Sequence, residues 1–321
     1  MSRADSTKSA TAFAPATVAN VAVGFDILGF AVDSVGDRVT VSTTDDPSVT
    51  VREITGACGT QADTEIPTDP ARNTATVGLI ALREDLGLRF GFEVSIGKGI
   101  ALGSGMGGSA ASAVASLVAA NSLLERPLDA ESLLRYALLG EQAASAAAHP
   151  DNVAPCLFGG LTLVTSTSPL RYVRMPVPER ILTVLVHPHS RVDTRNARSI
   201  LRADVPLADH VRQSASLAGF VAGCYTNDYE LISDCLRDVI IEPQRASLIR
   251  GFAEVKAAAI EAGALGASIS GSGPTMFAWV TSADAAERVR HAMVRAFIEH
   301  GAAEADSWIS PVSTQGARVI G

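Results

Sequence analysis

Fifteen residues, KGIALGSGMGGSAAS from Lys98 to Ser112, restrict this chain more than any other stretch. Four glycines, Gly103, Gly105, Gly107 and Gly108, fall within six positions. Before them FEVSI (Phe92 to Ile96) alternates as a strand does, and after them AASAVASLVAANSLLE (Ala110 to Glu125) reads as an apolar helix. The glycines therefore fill a strand-to-helix turn. Glycine allows positive φ and lets backbone N–H groups come close to a ligand. A helix start adds unpaired N–H donors and the positive end of the dipole. The stretch predicts an anion site, with phosphate as the commonest occupant. It is not a P-loop, because no Gly-Lys-Ser/Thr follows. Gly103, Gly105 and Gly108 satisfy G-x-G-x-x-G, but a dinucleotide fold needs a further strand ending in an acid about 20 residues on. Here the helix is followed by a second helical stretch, Pro127 to Leu139.

With 321 residues, 47% of them hydrophobic, the chain can build two domains with real cores. No apolar run approaches the length of a membrane span, and MSRADSTKSATAF at the start has no apolar core of a secretory signal. The net charge of −8 with no basic cluster argues against nucleic acid. Cys58, Cys156, Cys224 and Cys235 show no C-x-x-C spacing, so neither zinc nor a disulfide framework is expected, and the usage suits a cytoplasmic location. His187 and His189 read as surface residues at a strand end.

Further along the chain, Thr11 to Ala14 reads as a strand stopped by Pro15. The following segment, with Asn20, Gly24, Asp26 and Gly29 among apolar residues, reads as a loop lining a site. Asn73 or Thr74 caps a helix to Leu86. Glu141, among small residues, is placed to face a cleft and hold a cation, and His149-Pro150-Asp151-Asn152 reads as a polar turn. The arginines 191, 195, 198 and 202 have the rhythm of a solvated helix face. Gly266 to Val280 reads as strand, glycine turn and strand. The helix-strand order of the second half suits a ferredoxin-type α/β sandwich. A boundary near the proline-marked stretch 166–178 divides the chain into 1–168 and 169–321.

Three stretches now stand in order: APATVANVAVGFDILG, KGIALGSGMGGSAAS and SISGSGPTMFAW. Together they resemble the motifs of the GHMP kinases. HPDNVAPCLFGG, the Thr194–Arg198 pair, IEPQR and the closing TQGARVI look most like the homoserine kinase branch. The resemblance implies an α+β fold, the GHMP kinase fold. Its N-terminal domain has a left-handed β-α-β unit of the ribosomal-protein type, and its C-terminal domain is a ferredoxin-like sandwich. It implies transfer of the γ-phosphoryl group of ATP to the side-chain hydroxyl of L-homoserine, with Mg²⁺, by a homodimer.

The resemblance also assigns residues. ATP would lie on Gly103, Ser104, Gly105, Met106, Gly107, Gly108, Ser109 and Ala110, with Ser272 and Gly273 in the buttressing turn. Ser109 and Glu141 would hold Mg²⁺, and Lys98 would meet phosphate. Asn20 and Asp26 would surround the substrate ammonium, Asn152 its hydroxyl, and His149, Arg198 and Arg245 its carboxylate end. Asp26 has a second possible role as the base. Two positions depart from the family pattern: Ala101 where proline is usual and Gly108 where serine is usual. Alternatives at this point are a kinase for threonine or mevalonate, a nucleotide-binding regulator and an NAD enzyme.

Overall fold

The structure, a computed structural model, describes residues 8–56, 66–145 and 148–321. Cys58, Ala146 and Ala147 lie outside the described residues. The chain builds two sheets, each with helices packed against it.

The first sheet has seven strands. β1 (Ser9–Ala19) and β2 (Leu28–Thr44) form a long antiparallel pair, and β2 also pairs with β4 (Gly91–Lys98). β3 (Val49–Gly56) runs parallel to β4, joined to it through α1 (Thr74–Asp85), whose cap is Asn73. β1 does not stop at Pro15. It continues past a register shift between Pro15 and Ala16, which is where a strand tolerates a residue without an N–H. β5 (Leu161–Thr167) pairs with β2 and with β6 (Leu170–Met175). The boundary drawn at 168/169 therefore falls in the β5–β6 hairpin, and the chain crosses to the second sheet after Met175.

α2 (Gly108–Leu123) follows β4 and the glycine loop. It buries ten residues, six of them alanine, on all its faces. It lies against β1 and β2 and beneath α1 and α3 (Ala130–Ser145). A helix apolar on every side suits such enclosure, and alanine permits close approach. α4 (Pro150–Phe158) packs on the strands next to it. The HPDN stretch is thus a helix start, not a turn: His149 is the cap and Pro150 the first helical residue, the position where a missing N–H costs nothing.

The second sheet has the order β10-β7-β9-β8 and is antiparallel throughout, with β7 (Leu182–Pro188), β8 (Gly266–Ile269), β9 (Met276–Val280) and β10 (Ala305–Pro311). Between β7 and β8 come α5 (Thr194–Ser199), α6 (Leu207–Thr226), α7 (Tyr229–Cys235), α8 (Glu242–Arg245) and α9 (Phe252–Glu261). α10 (Ala283–Glu299) precedes β10, and β11 (Arg318–Val319) returns to pair with β1. This is the expected ferredoxin order. The arginine-rich stretch forms only the six-residue α5.

β9 is buried on both faces. Met276, Ala278 and Val280 join Val255, Val289, Met293 and Phe297 in one core. Phe277 and Trp279 point the other way, where Phe30 of β2 meets them at 5.8 and 5.7 Å between ring centroids. That aromatic contact joins the two sheets and fixes the cleft between them. Among the described residues no helix is long and apolar enough to cross a membrane.

β2 also approaches α4 without room for a side chain. A Cβ at Gly29 would lie 1.7 Å from the carbonyl oxygen of Asp151. Gly29→Ala is expected to force the helix off the strand and cost about 2–4 kcal/mol. Thermal unfolding checks this, with a fall in Tm of several degrees expected.

Candidate active site

The glycine loop is held from behind. The carbonyl of Ser104 accepts from Thr275 N at 3.1 Å, that of Gly105 from Ser270 Oγ at 2.8 Å, and that of Met106 from Thr17 N at 3.1 Å. Gly105 and Gly107 have φ of 79° and 68°, and a Cβ on either would strike Ser270 O or Thr17 Oγ1. Glycine is required at both. With these carbonyls tied back, the first-turn N–H groups of α2, from Gly108, Ser109 and Ala110, remain without intrahelical partners. Gly103, Ser104, Gly105, Gly107, Gly108 and Ser109 line a cavity of about 170 Å³. The side chains of Met106 and Ala110 are buried in the core, and Gly273 bonds Ser270 O behind the loop. Of the third motif, Gly271 and Ser272 reach the cavity. A Cβ at position 108 would lie 3.2 Å from Ile100 Cγ2, so glycine in place of the usual serine suits the tight seat against Ile100.

Lys98, expected to meet phosphate, is engaged by protein groups instead. Its ammonium is buried against Asp37, forming an ion pair, and donates to Gly108 O at 2.8 Å and Ser112 Oγ at 2.9 Å. All three of its protons are used. Asp37 also accepts from Ser112 Oγ at 2.7 Å and from the N–H groups of Gly99 and Ile100 at 3.0 and 3.1 Å. The pair clamps the entry and exit of the loop, which leaves Lys98 no free donor for a phosphate.

At the metal-like end, Ser109 Oγ donates to Glu141 Oε2 at 2.6 Å, and His149 Nδ1 lies 3.1 Å from Glu141 Oε1. His149 thus pairs with Glu141 and lines the same cavity as Arg198 and Arg245. The hydrogen bond to Glu141 raises the imidazole above its ordinary range, against the opposing effect of burial. A hydroxyl and a carboxylate side by side at a helix start suit Mg²⁺, which takes its remaining oxygens from phosphates and water.

Asp151 was invisible in the sequence and is central here. It lines the cavity, is 2% exposed, and its Oδ1 has no hydrogen-bond partner. Burial, then the charge of Asp26, pushes its carboxyl up to about 7. Next to it Asn152 accepts from Thr17 Oγ1 at 2.8 Å through Oδ1, and its Nδ2 has no partner among the described residues.

The opposite wall is built from the loop after β1. Asn20, Val21 and Ala22 all have positive φ, at 71°, 43° and 56°, an arrangement rare for residues with side chains and concentrated at sites. Asn20 donates to Gly271 O at 2.8 Å and accepts from Asp26 N at 3.0 Å. Its amide is therefore a brace, carrying Asp26 and tying the loop to the third motif. Arg198 Nη2 sits 2.7 and 2.8 Å from the two oxygens of Asp26. Arg245, only 4% exposed, donates from Nε to Ala197 O at 3.1 Å and from Nη1 to Gly271 O at 3.0 Å. Both guanidinium carbons lie near the Phe25 ring, at 5.3 and 5.0 Å from its centroid.

His187 is buried, not on the surface, and its Nδ1 lies 3.1 Å from Thr275 Oγ1. Burial, helped by His189, lowers it to about 4, so it is a neutral support beneath the third motif. A second cavity of about 450 Å³, lined by Ile66, Pro67, Asn73 and Arg195 among others, shares Leu102 and Ser109 with the first.

A family model described as the N-terminal domain of GHMP kinases matches residues 73–160, and one described as the GHMP kinase C-terminal domain matches 220–299. The homoserine kinase of Xylella fastidiosa (strain M12) is 49% identical over 311 residues, covering 97% of this chain and 94% of that one. The crystal structure of homoserine kinase from Cytophaga hutchinsonii matches with a TM-score of 0.93 at 44% identity, over 100% of both chains. Mevalonate kinase of L. major, solved in complex with R-mevalonate, matches with a TM-score of 0.70 at 15% identity, over 97% of this chain and 99% of that one, a likeness of fold.

The raised carboxyl of Asp151 has a consequence for stability. Its folded pKa lies above the unfolded value near 3.8, so stability is lost as pH rises from about 4 through about 7. Asp151→Asn removes that loss. Its Tm is expected to exceed the parent's by a few degrees at pH 8, with the gap closing near pH 4. Differential scanning calorimetry across this range checks the sign.

Proposed function

The chain belongs to the GHMP kinases, in their homoserine kinase branch, and from that premise we propose how its residues share the work. It is an ATP-dependent kinase that transfers the γ-phosphoryl group to the side-chain hydroxyl of L-homoserine, giving O-phospho-L-homoserine and ADP for threonine biosynthesis. The phosphates of ATP lie on the N-terminus of α2, where free N–H groups and the helix dipole receive them. The nucleoside end extends into the second cavity.

Ser109 and Glu141 would hold Mg²⁺, and their adjacent oxygens fit it. The ion would neutralise charge on the phosphates. Phosphoryl transfer asks mainly for alignment and charge stabilisation. Asp26 takes the substrate ammonium, with Asp151 adding negative potential behind it. Arg198 and Arg245 take the carboxylate. Asn152 donates from Nδ2 to the hydroxyl oxygen, which leaves the O–H proton facing a phosphate oxygen. Asp26, occupied by ion pairing, serves binding rather than proton abstraction.

The observation that carries this reading is a single cavity with an anion-binding loop at one end and two acids with two guanidiniums at the other. An ADP-release assay over amino-acid and isoprenoid alcohols tests it. Homoserine is expected to lead. Threonine or mevalonate ahead of it would overturn the assignment of the acceptor. The metal assignment has its own measure. Glu141→Ala is expected to lower kcat by about 100-fold or more, corresponding to several kcal/mol of lost charge stabilisation. Turnover within threefold of the parent at saturating Mg²⁺ would remove Glu141 from that role.

A further inference from the structure

The two arginines of the cavity are held differently. Arg245 is almost fully buried and fixed by two backbone carbonyls. Arg198 is held to the cavity wall by Asp26, through one nitrogen shared between both carboxylate oxygens. Side chains of both partners remain about two-fifths exposed, at 41% and 38%. The partners come from different domains: Asp26 from the loop after β1 and Arg198 from α5. They stand 172 residues apart in sequence.

We propose that the Asp26–Arg198 ion pair is a latch that an incoming acceptor must open, and that only an alcohol carrying both an ammonium and a carboxylate opens it without loss. This rests on the reading above that Asp26 meets ammonium and Arg198 carboxylate. The free site already contains an internal zwitterion. A zwitterionic acceptor breaks one ion pair and forms two, ammonium with Asp26 and carboxylate with Arg198. A singly charged alcohol breaks one and forms one, and leaves a charge of the protein uncovered. The latch thus acts against amines and acids separately, beyond the contact each of them lacks. Arg245 cannot play this part, because its backbone partners do not leave.

The consequence is a change of sign on mutation. 3-Aminopropan-1-ol is homoserine without the carboxylate, and 4-hydroxybutanoate is homoserine without the ammonium. Arg198→Ala uncovers Asp26, and Arg198→Met does so while keeping a stem to pack on Phe25. In both variants homoserine should lose kcat/KM by about 10- to 100-fold, the worth of a charged hydrogen-bonding partner. The same variants should handle 3-aminopropan-1-ol better than the parent, by about 2- to 5-fold, the worth of a partly exposed ion pair. Asp26→Asn should do the reciprocal for 4-hydroxybutanoate. Each compound is measured as a substrate and as an inhibitor of homoserine turnover, so the result does not depend on productive transfer. A carboxylate anchor without a latch leaves 3-aminopropan-1-ol unchanged in the Arg198 variants, and a merely structural arginine makes it worse. Either outcome overturns the proposal. Unchanged kcat/KM for homoserine in those variants would instead overturn the reading beneath it.

Discussion

The buried contact between Lys98 and Asp37 is the interaction on which the site depends. Two charges taken out of water are unfavourable unless their remaining hydrogen-bonding capacity is met. Here it is met by the loop itself: the N–H groups of residues 99 and 100, the carbonyl of Gly108 and the hydroxyl of Ser112. Desolvation therefore works for the geometry. The pair is tolerable only when the strand end, the loop exit and the first turn of α2 occupy their native places. Removing one charge alone would strand the other, at about 3–5 kcal/mol.

The other half of the cleft is set by shape. Phe30 against Phe277 and Trp279 brings β2 to β9, and the turn that leads into β9 then falls on the glycine loop. Asn20 and Arg245 both donate to the carbonyl of Gly271, so the loop after β1 and the glycine loop share one support. A displacement of that turn would be felt at both ends of the cavity. Close-packed interiors transmit such shifts instead of absorbing them.

Much of this was legible in the sequence. The strand, glycine loop and helix carry their own signals, as do the cap at Asn73 and the hairpin around Gly271. Ser109 beside Glu141 came from motif resemblance, and the structure brings the two together; the same resemblance set Asp26 and Arg198 at opposite ends of the acceptor, whereas here they pair directly. What could not be read depends on distant partners. Lys98 looks like a phosphate ligand until Asp37, 61 residues earlier, is seen beneath it. Asp151 looks like one more polar turn residue, because burial is a property of α4 lying on β2 and not of HPDN. Pro15 reads as a stop until the register shift beside it is known. His187 alternates onto a face that the sequence alone assigns to solvent.

The return of β11 to β1 orders events in time. The first sheet is edged by residues 318 and 319, and Thr11 N donates to Gly321 O at 2.6 Å. A ribosome makes the chain from its other end, and domains usually fold in the order they emerge. Here the first sheet waits with an open edge while the whole second domain is being synthesised. An open edge is a template for another chain. Synthesis of residues 318 and 319 therefore covers that edge of β1, and the vulnerable interval spans the making of the second sheet.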